Sequence, residues 1–469
     1  MQKNRFNELP LATKPRIAIL LINRQFIRSW FDTGLVQKIE NAGFHVTVFA
    51  QQDVFMLLPK LDNIQIVNLG TIETTKNSIH TVAMGLVSKR ALSATFKWKL
   101  KMLFLPPQRI ILPTGNFGSR FRTALKSVKR VIGNALDNKM TILYFVKPYR
   151  SIMVLYLRLL KETQDIPNEI KQYSPDWLIM PSASAHGIVT DCIVGAKSAG
   201  IHTMVAIDNW DNLTGKSIFP TKPDYFTVMG ERCVTHATYI HDCVPSSVLP
   251  FGLPRFDIYR KIQHSCIVRN PTNKKKILYC GVTMAHSEKF IVDSIANFFA
   301  DKYGPGEIEI HYRPHPGPSL RSDGYEIKNK NVKITRYSNL ERTAMPDMNQ
   351  EFIDAMLTSD VIVGAPTTLM VEAMLVNRRC VLDLTIDNFH RTTSGLMAKK
   401  FTHVLDLTAI QQIPRGETID GLIFEITKLL EEDGPNCAHY PIDNLYNTRD
   451  KPYADQLISF LQAKSLHLD

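Results

Sequence analysis

Two short stretches carry residue types suited to binding phosphate. The first is HYRPHPGP, residues 311–318, at the end of an apolar strand candidate. Arg313 offers a bidentate fork and His315 a hydrogen-bond donor, while Pro314 and Pro316 stiffen the loop that presents them. A cationic loop at a strand's carboxyl end is where an α/β fold holds a phosphate. The second is GAPTTLMVEA, residues 364–373, which reads as strand, small-residue turn and helix start. Thr367 or Thr368 suits the N-cap, so the first-turn amides are left to face an anion. Glu372 follows about one turn later, placed to reach a ribose hydroxyl or a base edge. Each stretch also has a plainer use, as a turn held by prolines or an ordinary helix start with a solvated Glu372. Thr283 and Ser287, near the first helix of the second half, are further candidates for the same ligand.

A hydroxyl nucleophile needs a carboxylate or imidazole within hydrogen-bond reach, and two loops in the first half supply them. SASAHG, residues 182–187, carries His186 at a helix start, and DNWDNLTGK, residues 208–216, carries Asp208, Trp210, Asp211 and Lys216. Aspartates flanking an indole suit a carbohydrate, with the ring stacked on a sugar face and the carboxylates on its hydroxyls. Asp211 or Asp208 is the base candidate, with His186 behind them; an Asx-rich turn with one buried Trp is the competing reading. Arg24 follows the first strand in a loop without glycine, Asn23-Arg24-Gln25, and suits an anionic acceptor or plain solvent. No HExxH, strand-end DxD, Cys/His cluster or Walker loop is present, so neither a metal nor ATP hydrolysis is expected.

These residues need a scaffold, and hydrophobic patterning supplies two. The run RIAILLIN, residues 16–23, is continuously apolar, as a parallel strand covered on both faces must be. Further strands are expected at 45–50, 64–69, 176–181, 203–207 and 225–229, with helices at 34–42 and 188–199. A turn-rich boundary at 249–273 separates this series from a second one. There, strands are expected at 276–280, 307–312, 332–335, 360–364, 380–384 and 403–407, and helices at 287–300, 348–358, 368–375 and 420–432. Strand–helix alternation of this kind predicts βαβ units and two parallel sheets. The expected domains are 1–255 and 256–450, with a helix from about 452 crossing back to the first domain within 451–469. The cleft between them is the expected ligand site.

A His-Pro pair after a strand, followed by a Thr-rich turn opening a helix, resembles the GT-B glycosyltransferases of capsule, lipopolysaccharide and teichoic-acid synthesis. The nearest likeness is the group holding CDP-glycerol glycerophosphotransferases, polysialyltransferases and capsule transferases; FGLPRFD, residues 251–257, resembles their G-x-P-x-x-D linker. The resemblance implies a GT-B fold of two Rossmann-like domains and a nucleotide-sugar co-substrate, with His315, Thr367 and Thr368 on the donor's phosphates. The acceptor is expected to be a cell-envelope or lipid-linked glycan. UDP-sugar 2-epimerases share the fold and a related His-Pro element, so an epimerase is a competing reading. A polyol-phosphate transferase and a non-catalytic membrane-docked partner are the others.

Charge adds a partner. The chain carries a formal net charge of +12, and sixteen Lys or Arg against a single acid, Asp137, lie between Lys89 and Lys161. Phe96, Trp98, Phe104, Phe117, Tyr144 and Phe145 interleave with the positive charge in an insertion of the first domain, at about 75–170, expected to be helical at 124–136 and 151–163. Basic and apolar side chains together suit an anionic membrane surface. A nucleic acid or a solvated helical face would use the same charge, but no nucleic-acid motif accompanies it, so no nucleic acid is expected. Seven scattered cysteines, a polar N-terminus and no apolar run of spanning length lead to a cytoplasmic protein resting on the membrane's cytosolic face.

Overall fold

A computed structural model describes residues 14–72, 95, 97–98, 151–152, 155, 165–182, 187–217, 219–262, 274–282, 286–315, 325–335, 346–387, 390, 393–433, 436–447 and 451–465. Most of the expected basic insertion, including its helix at 124–136 and most of that at 151–163, lies outside them. So do His186 and Thr283.

Seven strands form the first sheet: β1 (Arg16–Leu21), β2 (His45–Ala50), β3 (Gln65–Asn68), β4 (Trp177–Ser182), β5 (His202–Ile207), β6 (Tyr225–Thr227) and β7 (Val248–Leu249). The second has six: β8 (Lys275–Cys280), β9 (Ile308–Arg313), β10 (Val332–Ile334), β11 (Val361–Gly364), β12 (Cys380–Asp383) and β13 (Arg415–Gly416). Their orders are β3-β2-β1-β4-β5-β6-β7 and β10-β9-β8-β11-β12-β13, and every pairing is parallel. The two halves therefore repeat one winding scheme. In each, strand order reverses beside the first strand, between β1 and β4 and between β8 and β11, which opens a crevice at the strand carboxyl ends. The apolar runs behave as fully covered strands should: β11 and β12 are buried at every position, and β1 and β2 everywhere but the first.

One expected strand is a helix. Residues 403–407 lie within the helix Thr402–Thr408, where His403, Val404 and Leu407 are buried and Leu405 is 46% exposed. Burial at spacings of one and four is the helical period; in a run this short the period cannot be told apart from the sequence alone. The sheet position is taken by the two-residue β13, which pairs with Leu382 and Asp383.

The last helix, Tyr453–Ser465, packs on the first sheet. Phe460 meets the ring of Tyr225 edge-on at 4.8 Å and that of Trp177 at 6.0 Å, and Tyr453 Oη lies 2.8 Å from Thr227 Oγ1. In the linker, Gly252 has φ +89°, and a Cβ there would stand 3.1 Å from the Tyr446 ring, so both backbone and space call for glycine. Among the described residues no helix is long and apolar enough to cross a membrane.

Candidate functional site

The crevice of the second sheet is built from three loops that leave neighbouring strands. Cys280, Arg313 and Gly364 stand in one row across β9, β8 and β11. The row brings the His315 loop, the loop after β8 and the Thr367 turn together across two strand spacings, about 10 Å. Close backbone packing makes this possible. A Cβ on Gly364 would lie 2.9 Å from the Cys280 carbonyl oxygen, and one on Gly281 would lie 3.1 Å from both His315 N and Pro314 Cα. Gly281 N–H also donates to Arg313 O at 2.8 Å, fixing where the His315 loop departs. The Arg313 guanidinium lies 4.2 Å from the Phe352 ring centroid, and His315 is half-buried at the end of the described loop.

Thr367 is the N-cap of the helix Thr368–Leu375 and makes no side-chain capping bond. The first-turn amides consequently lack the usual hydroxyl acceptor, at a helix end where partial positive charge collects. Glu372 is placed otherwise than expected. It is 3% exposed, accepts from Tyr259 Oη at 2.6 Å, and its Oε2 lies 4.0 Å from Arg28 Nη2. It ties the second domain to the linker helix Asp257–Ile262 and to the first domain.

Beneath the loops lies a buried polar network whose centre, Glu288, His286 and Asp383, the sequence reading did not single out. His286 Nε2 sits 2.9 Å from Asp383 Oδ2, which also accepts from Tyr279 Oη at 2.5 Å; Thr385 donates to the other carboxylate oxygen. Burial alone would lower the His286 pKa, but the carboxylates of Asp383, Glu288 and Asp387 together outweigh it and the net shift is upward. Burial likewise works against ionised Asp383, yet its imidazole and hydroxyl partners hold its pKa low. Ser287 donates to Asp387 Oδ2 through both N–H and Oγ, at 3.0 and 2.8 Å, so it braces the loop after β12. These polar residues fall within strands and helix starts that read as ordinary α/β structure. Only Ser287, beside His286 and Glu288 in the chain, stands among the sequence candidates.

On the first domain's side, the 208–216 loop divides its residues between two tasks. Asp208 is buried: it accepts from Ser29 Oγ at 3.0 Å and from Arg255 Nη1 at 2.8 Å. Burial raises its pKa against these partners. Trp210 is 4% exposed and meets the His403 ring edge-on at 5.3 Å. Both residues thus serve the junction: Asp208 grips the linker's Arg255, and the Trp210 ring expected to stack on sugar is buried against His403 of the other domain. Asp211 sits one step outward, its Oδ2 2.8 Å from Lys216 Nζ, before a π-helical turn, Asn212–Lys216. A second π-helical turn, Arg28–Asp32, follows β1; such turns are rare and concentrate at functional sites. Arg24 makes an exposed ion pair with Asp53 at 3.0 Å.

Interdomain contacts continue outward. Thr214 Oγ1 lies 2.7 Å from His403 Nδ1, and Asp406 lies 2.8 Å from both Arg232 Nε and His236 Nε2. The loops after β1 and β5 therefore touch the elements after β11 and β12, so the carboxyl ends of the two sheets face each other. No group of three or more potential metal ligands occurs among the described residues.

No family model matches the chain. No curated protein matches it. Among solved structures it is similar to a protein assigned as UDP-N-acetylglucosamine 2-epimerase from Listeria monocytogenes, at 10% identity and TM-score 0.53, over 97% of this chain and 98% of that one. It is also similar to the UDP-GlcNAc 2-epimerase of Methanocaldococcus jannaschii, at 11% identity and TM-score 0.50, over 96% and 99% of the two chains. Identities this low speak to architecture alone: the chain has the α/β fold of two facing Rossmann-like domains known as GT-B.

Proposed function

We propose that this protein is a glycosyltransferase that moves a sugar from a nucleoside-diphosphate donor onto an envelope or lipid-linked glycan. The observation that carries the reading is the row of Arg313, Cys280 and Gly364 at the strand-order reversal between β8 and β11, from which the His315 loop and the turn into the uncapped helix Thr368–Leu375 both depart. In this reading Arg313, His315, Thr367 and Thr368 hold the diphosphate. Helix amides, the Arg313 guanidinium and a hydrogen bond from His315 offset the charge of the leaving nucleotide, so no divalent cation is required. Asp211, at the opposite strand end, takes the proton from the acceptor hydroxyl, and Lys216 holds its carboxylate in place. The basic, aromatic-rich segment 89–161 rests the enzyme on the anionic cytosolic face of the membrane, where a lipid-linked acceptor is found.

Nucleotide-sugar epimerisation is the second reading, favoured by the names of the two similar structures. Incubation with labelled UDP-, GDP-, dTDP- and CMP-sugars separates the two. The transferase releases nucleotide only when membranes or an extracted lipid-linked acceptor are present, and chelator leaves the rate unchanged. An epimerised nucleotide sugar formed without any acceptor would contradict the transferase.

A further inference from the structure

Glu288 opens the helix Glu288–Tyr303, and its carboxyl group turns back beneath the crevice. It accepts from Val282 N–H in the β8 loop at 2.6 Å and from Tyr312 Oη on β9 at 2.8 Å. A Cβ on Gly281 would collide with its Oε2 and would stand 3.1 Å from His315 N. The carboxyl thus lies against the point where the β8 loop meets the His315 loop, and it is 7% exposed. We propose that Glu288 is a positioning residue of the donor site: its carboxyl holds the two loops together beneath the diphosphate and takes up a proton when the donor binds. This rests on the donor site proposed above.

The physical reason is a conflict of charge. A diphosphate beside a buried carboxylate is repelled in a region where water screens weakly, and protonation removes the repulsion without breaking the loop contacts. The starting state permits it: burial pushes Glu288 up to about 7, against the Val282 N–H, the Tyr312 hydroxyl and His286, with Asp383 adding to the rise. The titratable and charged groups around it are Tyr312 and Arg313 from β9, Tyr279 and Cys280 from β8, His286 ahead of its own helix and Asp383 from β12. An anion brought nearby raises the carboxyl's affinity for its proton, and by linkage the donor binds more weakly as pH rises through the free protein's value.

Calorimetric titration of the full chain with UDP-, GDP- and dTDP-hexoses, whose diphosphate diesters do not titrate near neutrality, tests this. In the wild type, affinity is expected to fall by about tenfold from pH 6.5 to 8.5, and the heat near pH 7 to vary with the buffer's ionisation enthalpy, marking proton uptake. Glu288→Gln keeps the shape and should bind with a clearly shallower pH profile than the wild type. Tyr312→Phe removes a donor to the carboxylate and should move the fall to higher pH. Buffer-independent heat in the wild type, or equal pH slopes in wild type and the Gln variant, overturns the role of Glu288 while leaving the donor site standing. Absence of binding by any of the three sugar nucleotides at every pH refutes the donor site and this inference with it.

Discussion

Asp208 and Asp211 are three positions apart and look interchangeable in sequence, yet their surroundings differ. Asp208 faces Arg255 and Ser29 in the buried junction, whereas the Asp211 side chain is 18% exposed beside Lys216. Asp208→Asn leaves a buried guanidinium without its counter-charge and is expected to cost about 3 kcal/mol in denaturant unfolding. Asp211→Asn is expected to slow turnover by about a hundredfold or more with donor affinity and unfolding midpoint unchanged; undiminished turnover would remove it as the base. His286 and Asp383 add a pH dependence. The contribution from His286 is complete below the ordinary histidine range and is lost as pH rises through its raised folded value. That from Asp383 is complete above the ordinary carboxylate range and is lost as pH falls through its lowered one. Thermal melts from pH 3 to 9 should therefore show a broad optimum that His286→Gln flattens on the alkaline side. Side-chain type and spacing pointed to loops that the fold gathers at the strand carboxyl ends; which way each polar side chain faces depends on partners such as Arg255 and His403, 47 positions or more away, and no local pattern records that.

At the scale of elements the sequence was most informative, because a parallel strand covered on both faces must be apolar throughout. The runs at 16–23, 45–50 and 360–364 match β1, β2 and β11 to within two residues, and the helix Thr368–Leu375 falls at its expected bounds. Failures are physical too. Residues 403–407 carry a short apolar run whose period is decided by contacts, and β7 and β13 are two residues long, below any patterning signal. The spacing of β8 and β11 depends on Gly364, since a methyl there would press on the Cys280 carbonyl at 2.9 Å. Gly364→Ala is expected to weaken donor binding and to cost about 1–3 kcal/mol, the usual range for overpacking, in urea unfolding. Unchanged binding would mean that the crevice does not rely on that spacing.

The whole molecule is two similar sheets with their carboxyl ends turned toward each other, tied by Arg255 on Asp208, Tyr259 on Glu372, Trp210 on His403 and the returning helix Tyr453–Ser465. Thr95 Oγ1 accepts from Thr402 N–H at 2.9 Å, which seats the start of the basic segment on the second domain. If that segment binds membrane, replacing Lys97, Lys99 and Lys101 with Gln should weaken co-sedimentation with anionic liposomes, by about 1 kcal/mol for each charge removed near the surface; unaltered sedimentation would count against it. The central claim is that a donor's phosphates sit between the His315 loop and the amino end of the helix Thr368–Leu375. Calorimetry of the His315→Ala variant with the sugar nucleotide that binds the wild type tests it most directly. The expected result is at least a tenfold loss of affinity, the scale of one charge-assisted hydrogen bond, at an unchanged melting temperature. Wild-type affinity in that variant would contradict the account.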